Sequence, residues 1–278
     1  MSSRSVKESS GSPLLGDDDP ASATVLNAAG RATAVVVCDH GGEAVPAKLA
    51  GLGLDPADRA RHIAWDIGAS ATARELAQRL DAPAVLSSYS RLVIDLNRPP
   101  DDLTSIREIS DGVLVPGNRN LSAEDTAQRV ASVFEPYHDA VSAAMERVGE
   151  RVAAPALISI HSFTPVMNGF ERPWHIGVLF GPDARMANSF ITALSQNADV
   201  CVGANKPYSG YDLYGYTVET HAMPKGYPNI LLEIRQDLID TQHGAERWAA
   251  VIADALAPIL DDQDLYRPLR PDEAEYAS

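Results

Sequence analysis

Apolar positions along the chain fall in two rhythms, short unbroken runs and longer stretches in which they recur every three or four residues. The short runs read as strands near Ala84 to Leu86, Leu92 to Leu96, Ala156 to His161, His175 to Phe180, Val200 to Val202 and Asn229 to Ile234. The periodic stretches read as helices over Ile67 to Leu80, Ala123 to Val148, Ala184 to Gln196 and Ala245 to Ile259. Ser122 with Asp125 offers a capping start for the second of these, Gly149 a stop, and Pro136 should kink or split it. Near the amino end, Thr24-Val25-Leu26-Asn27 and Ala34-Val35-Val36-Val37 flank Ala28-Ala29-Gly30-Arg31, which reads as a hairpin turning at Gly30.

Strand and helix alternate without an internal repeat or a Pro-, Gly- or Ser-rich linker. The expectation is an α/β chain whose mostly parallel sheet lies between helices, with ligands beyond the carboxyl ends of its strands. One domain is expected over 13–265, between a polar, Ser-rich disordered tail at 1–12 and a carboxyl tail at 266–278.

Composition narrows the partners. A formal net charge of -15 disfavours nucleic acid and anionic membrane surfaces, which reward a basic face. No run approaches the roughly 18–20 apolar residues of a membrane span. The opening Met1-Ser2-Ser3-Arg4 lacks the apolar centre of a signal peptide, so a cytoplasmic location is expected. The only thiols, Cys38 and Cys201, adjoin apolar runs and read as buried free cysteines.

Chemistry concentrates where strands end. Ala34 to Val37 delivers Cys38-Asp39-His40-Gly41-Gly42-Glu43, and Ile158-Ser159-Ile160 delivers His161. Two imidazoles and a carboxylate form a zinc-hydrolase ligand set with a position left for water, and the two glycines permit the tight turn that would bring His40 and Glu43 together. An isolated His40 would equally serve as a loop imidazole bonding its own backbone. His62, His138, His175 and His243 lack carboxylate spacing and read as structural or surface residues. Glu233 interrupts the apolar run Asn229 to Ile234, and a buried carboxylate needs a cation, a metal-activated water or a raised pKa. It is the candidate general base, with an ion pair to Arg235 on the same strand face as the structural alternative. Arg91 and Arg98, an odd separation apart, would point to opposite faces of a regular strand. Arg98, at the strand exit beside Asn97, is the better candidate to grip a carboxylate, a salt bridge to Asp101 or Asp102 being the alternative.

Together these motifs resemble the N-formylglutamate amidohydrolase family, whose site is similar to that of zinc carboxypeptidases. The resemblance runs from about Leu14 to Leu260. It is carried by Asp39 through Pro46, His62 through Ala69, Tyr89 through Arg98, Ile158 through Pro165, Lys206 through Gly210 and Leu232 through Leu238. It implies a three-layer α/β/α fold with a mixed, mostly parallel sheet of the phosphorylase/hydrolase-like, zinc-exopeptidase type. It also implies one Zn2+ ion, or another divalent metal, and hydrolysis of a small anionic N-formyl or short N-acyl amino acid. Many members carry a non-acidic residue at the position of Glu43, which makes Asp66 a rival third ligand beside its alternative as cap of the helix starting near Ile67. The resemblance further places Tyr208 and Ser209 in the pocket, Asn97 and Arg98 on the substrate α-carboxylate, and Arg119 or Arg235 on a side-chain carboxylate. A serine esterase is disfavoured because no G-x-S-x-G elbow occurs. A carboxypeptidase-like or broader N-acyl amino acid hydrolase, and a silent binding protein on the same scaffold, are the other readings.

Overall fold

A computed structural model describes residues 13–212 and 215–274, so the tail expected at 1–12 lies outside the described residues. Seven strands form one sheet: β1 (Ala23–Leu26), β2 (Ala34–Cys38), β3 (Ala84–Ser87), β4 (Ala156–Phe163), β5 (Ile176–Leu179), β6 (Val202–Ala204) and β7 (Asn229–Arg235). Their order is β1-β3-β2-β4-β7-β5-β6. The β1–β3 and β7–β5 pairs are antiparallel and the remaining neighbours parallel. β2 and β4 are buried at every position, as expected of central strands covered on both faces.

Alternation along these strands divides the core in two. Val36, Ile158, Ile230 and Leu232 pack against α1 (Ala69–Leu80), α4 (Arg185–Leu194) and α6 (Gln242–Leu260). Val35, Val37 and Leu157 face the opposite layer, built from α2 (Ala123–Arg129), α3 (Glu135–Gly149), α5 (Thr217–His221) and the buried chain around Leu92 to Leu96. The result is the expected three-layer α/β/α arrangement with a mixed, mostly parallel sheet. α2 opens on a capping box between Ser122 and Asp125. It joins α3 through one wide π turn, Val130–Phe134, directly ahead of Pro136. Proline removes an N–H and crowds the carbonyl one turn back, and the wider turn accommodates both effects without breaking the helix.

Three expectations are corrected. The hairpin does not form, because β1 pairs with β3 instead, Ala23 opposite Ser87. Its turn docks on the loop before β3: Ala32 donates to Asp81 O at 3.0 Å, and a Cβ on Gly30 would lie 2.5 Å from that oxygen. Leu92 to Leu96 is no strand but a buried loop of tight turns. Its backbone is satisfied from elsewhere, as a buried loop requires. The Asn118 amide donates to Leu92 O at 2.9 Å, and Arg129, 1% exposed, donates to Val93 O at 2.8 Å, Gly117 O at 3.0 Å and Asn118 Oδ1 at 2.7 Å. Finally, Cys38 and Cys201 are both free, but only Cys38 is buried; Cys201 precedes the outermost strand β6 and is exposed. Among the described residues no helix is long and apolar enough to cross a membrane.

Arg129→Ala strips donors from two buried acceptors, Val93 O and Asn118 Oδ1, at roughly 1–3 kcal/mol each, and from the more exposed Gly117 O, so urea unfolding should show a loss of about 2 kcal/mol or more. A loss below about 1 kcal/mol, typical of a surface substitution, would show that Arg129 does not hold the loop.

Candidate active site

The carboxyl ends of the central parallel strands converge on one spot. β2 ends at Cys38 and passes directly into Asp39 and His40, while His161 of β4 sits opposite Glu233 of β7 in register. Asp66 is tied to the same place by its own N–H, which donates to His40 O at 2.8 Å. His40, Asp66 and His161 are all buried, and one donor atom from each lies within 4.8 Å of the others. Asp66 Oδ2 is 3.0 Å from His161 Nδ1 and 3.6 Å from His40 Nδ1.

The outer nitrogens of both rings are engaged by carboxylates. His40 Nε2 lies 2.6 Å from Asp95 Oδ1, and His161 Nε2 lies 3.1 Å from Asp39 Oδ2. Engaged at Nε2 by a carboxylate, each ring is held with its Nδ1 turned inward, as imidazole ligands are oriented by such partners. Asp39 Oδ1 in turn accepts the Tyr137 hydroxyl at 2.7 Å and the Thr217 hydroxyl at 2.8 Å. Asp95 Oδ2 accepts Arg91 Nη2 at 2.7 Å, and Arg91 Nη1 lies 3.5 Å from Asp66 Oδ1.

Burial works to raise the Asp39, Asp66 and Asp95 carboxyls, yet their partners hold all three below the ordinary range: the His161 hydrogen bond and charge at Asp39, the His40 and His161 charges and hydrogen bonds at Asp66, and the Arg91 charge at Asp95. Burial likewise works to lower His161, but its bonds to Asp39 and Asp66 raise it. Glu233 differs. Burial pushes its carboxyl up to about 7, Asp66 adding to the shift and the His161 charge opposing it. Its Oε2 has no hydrogen-bond partner among the described residues, and neither does His40 Nδ1.

These observations test whether a metal fits. With both imidazoles neutral, as ligands to a metal must be, three ionised carboxylates against one guanidinium leave two negative charges for a cation to balance, and the His40 nitrogen without a partner among the described residues lies 3.6 Å from Asp66 Oδ2. Two imidazoles and a carboxylate form a donor set suited to a divalent ion. His40, Asp66 and His161 could hold it.

Glu43 takes no part. It is exposed, because Gly42 lies so close to the next loop that a Cβ there would stand 2.1 Å from Ser88 C. The turn therefore serves to run Ala44 alongside Ser88, with Ala44 N donating to Ser88 O at 3.1 Å, and it leaves Glu43 outside. Asp66 does not cap the following helix either. That helix starts at Ala69, and the Asp66 carboxylate turns inward to accept the Ser162 N–H at 3.2 Å.

A cavity of about 480 Å³ opens over this cluster and is bordered by Asn97, Arg98, Tyr208, Ser209 and Glu233. Arg98 Nη1 donates to Asn97 O at 2.7 Å, while Asp102 is bonded to Thr104 instead. Asn97 Oδ1 receives the Tyr216 and Thr217 N–H groups at 2.7 and 3.0 Å, fixing the start of α5. Arg119 and Arg235, expected to meet a second carboxylate, are not brought to the cavity. Arg119 is exposed on the turn after Pro116–Asn118, and Arg235 is paired with Asp237 at 2.7 Å rather than with Glu233. Arg91 and Arg107 border the cavity instead. Because the segment between Arg91 and Arg98 is a loop rather than a strand, alternation does not turn the two apart.

Sequence reasoning missed Asp39, Asp95 and Arg107, and set Arg91 aside in favour of Arg98 on strand alternation. A usable signal existed for Asp95, an acidic residue inside an apolar run, which is the signal that singled out Glu233. The remaining histidines stand outside the cluster of His40, Asp66 and His161. His62 borders the cavity 3.5 Å from Asp111, and His138 stacks on His221 behind α5, at a ring separation of 5.2 Å. His175 accepts the Cys201 N–H at 3.1 Å, and His243 is exposed.

Comparison with known proteins places the chain among relatives of the same fold. A family model described as N-formylglutamate amidohydrolase matches residues 32–240. Among solved structures, the gene product Atu2144 from Agrobacterium tumefaciens is 32% identical, with a TM-score of 0.83 over 88% of this chain and 99% of that one. The N-formylglutamate amidohydrolase from Ralstonia eutropha JMP134 shares the fold at a TM-score of 0.64 and 16% identity, covering 87% of this chain and 98% of its own. No curated protein matches the chain. With three quarters of its length accounted for by one family model, this chain belongs to the N-formylglutamate amidohydrolase family.

Proposed function

We propose that the chain is a zinc-dependent amidohydrolase that cleaves N-formyl or short N-acyl amino acids, N-formylglutamate among them, to formate or a short carboxylate and the free amino acid. The observation that carries this reading is Glu233: a buried carboxyl with an oxygen unpaired among the described residues, pushed up to about 7 by burial, beside three convergent side chains that could hold a metal. A proton acceptor that must later give the proton back works best when its pKa lies near the operating pH.

One ion held by His40, Asp66 and His161 would supply Lewis acidity and an acidified water. Glu233 accepts a proton from the attacking water at Oε2 and returns it to the leaving nitrogen as the C–N bond breaks. Asp39 and Asp95 keep the two rings turned inward, and Arg91 holds Asp95 in place. Asn97 and Arg98 meet the substrate α-carboxylate, and Arg107, whose buried Nε has no partner among the described residues, meets a second one. The Tyr208 hydroxyl accepts from Arg172 Nη2 at 3.3 Å, which leaves its own proton to donate to the substrate carbonyl as negative charge develops there. Ser209 lines the same wall.

Two measurements test this. Glu233→Gln should keep its zinc and lose about 10³-fold in kcat on N-formylglutamate, within the usual range for a general base; wild-type kcat would remove Glu233 from that role. In chelator competition, Asp66→Asn should weaken zinc binding by roughly 100-fold, whereas Glu43→Gln should bind as the parent does. The reverse ranking would return the third ligand to Glu43.

A further inference from the structure

The cavity is larger than a formyl group requires and its walls differ in character. At about 480 Å³ it falls among pockets that enclose drug-sized ligands, roughly 300–1,000 Å³. One wall carries His62, Arg91, Arg98 and Arg107. The other follows β7 away from Glu233. Asn229, Leu231 and Glu233 alternate along the strand, share one face and all border the cavity, which therefore runs beneath α5 for roughly 13 Å of strand.

This leg is apolar. Leu231 lies opposite Leu179 in register, and Val218 and Met223 close it from the α5 side. Leu231 is the informative residue. Its neighbours Ile230 and Leu232 are fully buried against helices, yet Leu231, in the middle of a seven-stranded sheet, is only partly covered by protein and faces the cavity. The polar side chains along the leg are engaged elsewhere: the Asn229 amide donates to Tyr227 O at 2.9 Å, and Glu219 accepts the Gly215 N–H at 3.2 Å.

We propose that this leg is an acyl-chain subsite and that the substrate class includes N-acyl amino acids bearing a medium-length, unbranched hydrocarbon acyl group. The inference rests on the amidohydrolase reading of the same site. A carboxylate-bearing amino acid half is recognised by the arginine wall, so with the scissile carbonyl at the metal donors the acyl half points along β7. The reaction is the same hydrolysis. Water oxygen bonds to the acyl carbon, the C–N bond breaks, and the proton passes through Glu233 to the amine, releasing a fatty carboxylate and a free amino acid.

The test uses the full zinc-loaded chain as Glu233→Gln, so that binding is read without turnover, with N-formyl-, N-butanoyl-, N-hexanoyl- and N-octanoyl-L-glutamate as calorimetric probes. Burial of each methylene should tighten binding about fourfold until the leg is full. Adding Val218→Trp should flatten the series, and Leu231→Phe is the second variant should the first fail to fold. A flat or falling series in the parent overturns the proposal, as does a gain that follows the amino-acid side chain in N-formyl-L-leucine rather than the acyl chain. Wild-type hydrolysis of the same probes separates the two claims: chain-length-dependent binding with no turnover of any member leaves the subsite standing and overturns the amidohydrolase reading.

Discussion

Three carboxylates, Asp39, Asp66 and Asp95, are buried at the carboxyl edge of one sheet, and compensating them constrains everything around them. An unpaired buried carboxylate is costly enough to take up a proton instead. All three are held in the ionised range by an imidazole or a guanidinium in direct contact. That demand accounts for the Tyr137 hydroxyl reaching from α3, the Thr217 hydroxyl from α5 and Arg91 from the buried loop. Helices, strands and loop are thereby tied to the same few oxygens.

Glu233 stands beside this network without joining it. Among the described residues no cationic side chain is bonded to it, its partner on β4 is His161, and burial raises it while the three aspartates are lowered. Carboxyl groups of one site are thus split into anions held by cationic partners and one raised towards neutrality, a division set by environment rather than by residue type. The two cavity walls extend the same contrast outward, the guanidinium groups of Arg91, Arg98 and Arg107 on one side of Glu233 and aliphatic surface on the other.

Much of this was legible in the chain. His40, His161 and Glu233 each end or interrupt an apolar run, and strands whose carboxyl ends carry polar residues place them where α/β sheets bind ligands. The helices followed from their period, and the π turn ahead of Pro136 is the physical form of the expected kink. What was not legible depended on partners distant in sequence. Leu92 to Leu96 has a strand's composition, but Arg129 and Asn118 satisfy its carbonyls, and no local pattern announces that. Glu43 has ligand spacing, but spacing says nothing about direction; the close passage of Gly42 against Ser88 decides it. β1 neighbours β2 in sequence yet pairs with β3, because its turn finds Asp81 as a docking partner.

The central claim is that the cluster of His40, Asp66 and His161 is a metal centre adjoining Glu233. Anomalous diffraction at the zinc edge, on crystals of the full chain grown with zinc, tests it most directly. The account predicts a single strong peak bounded by the two Nδ1 atoms and the Asp66 carboxylate, with Glu233 beside it and Glu43 remote. A peak at Glu43, or zinc bound only at surface carboxylates with the buried cluster unchanged, would contradict it.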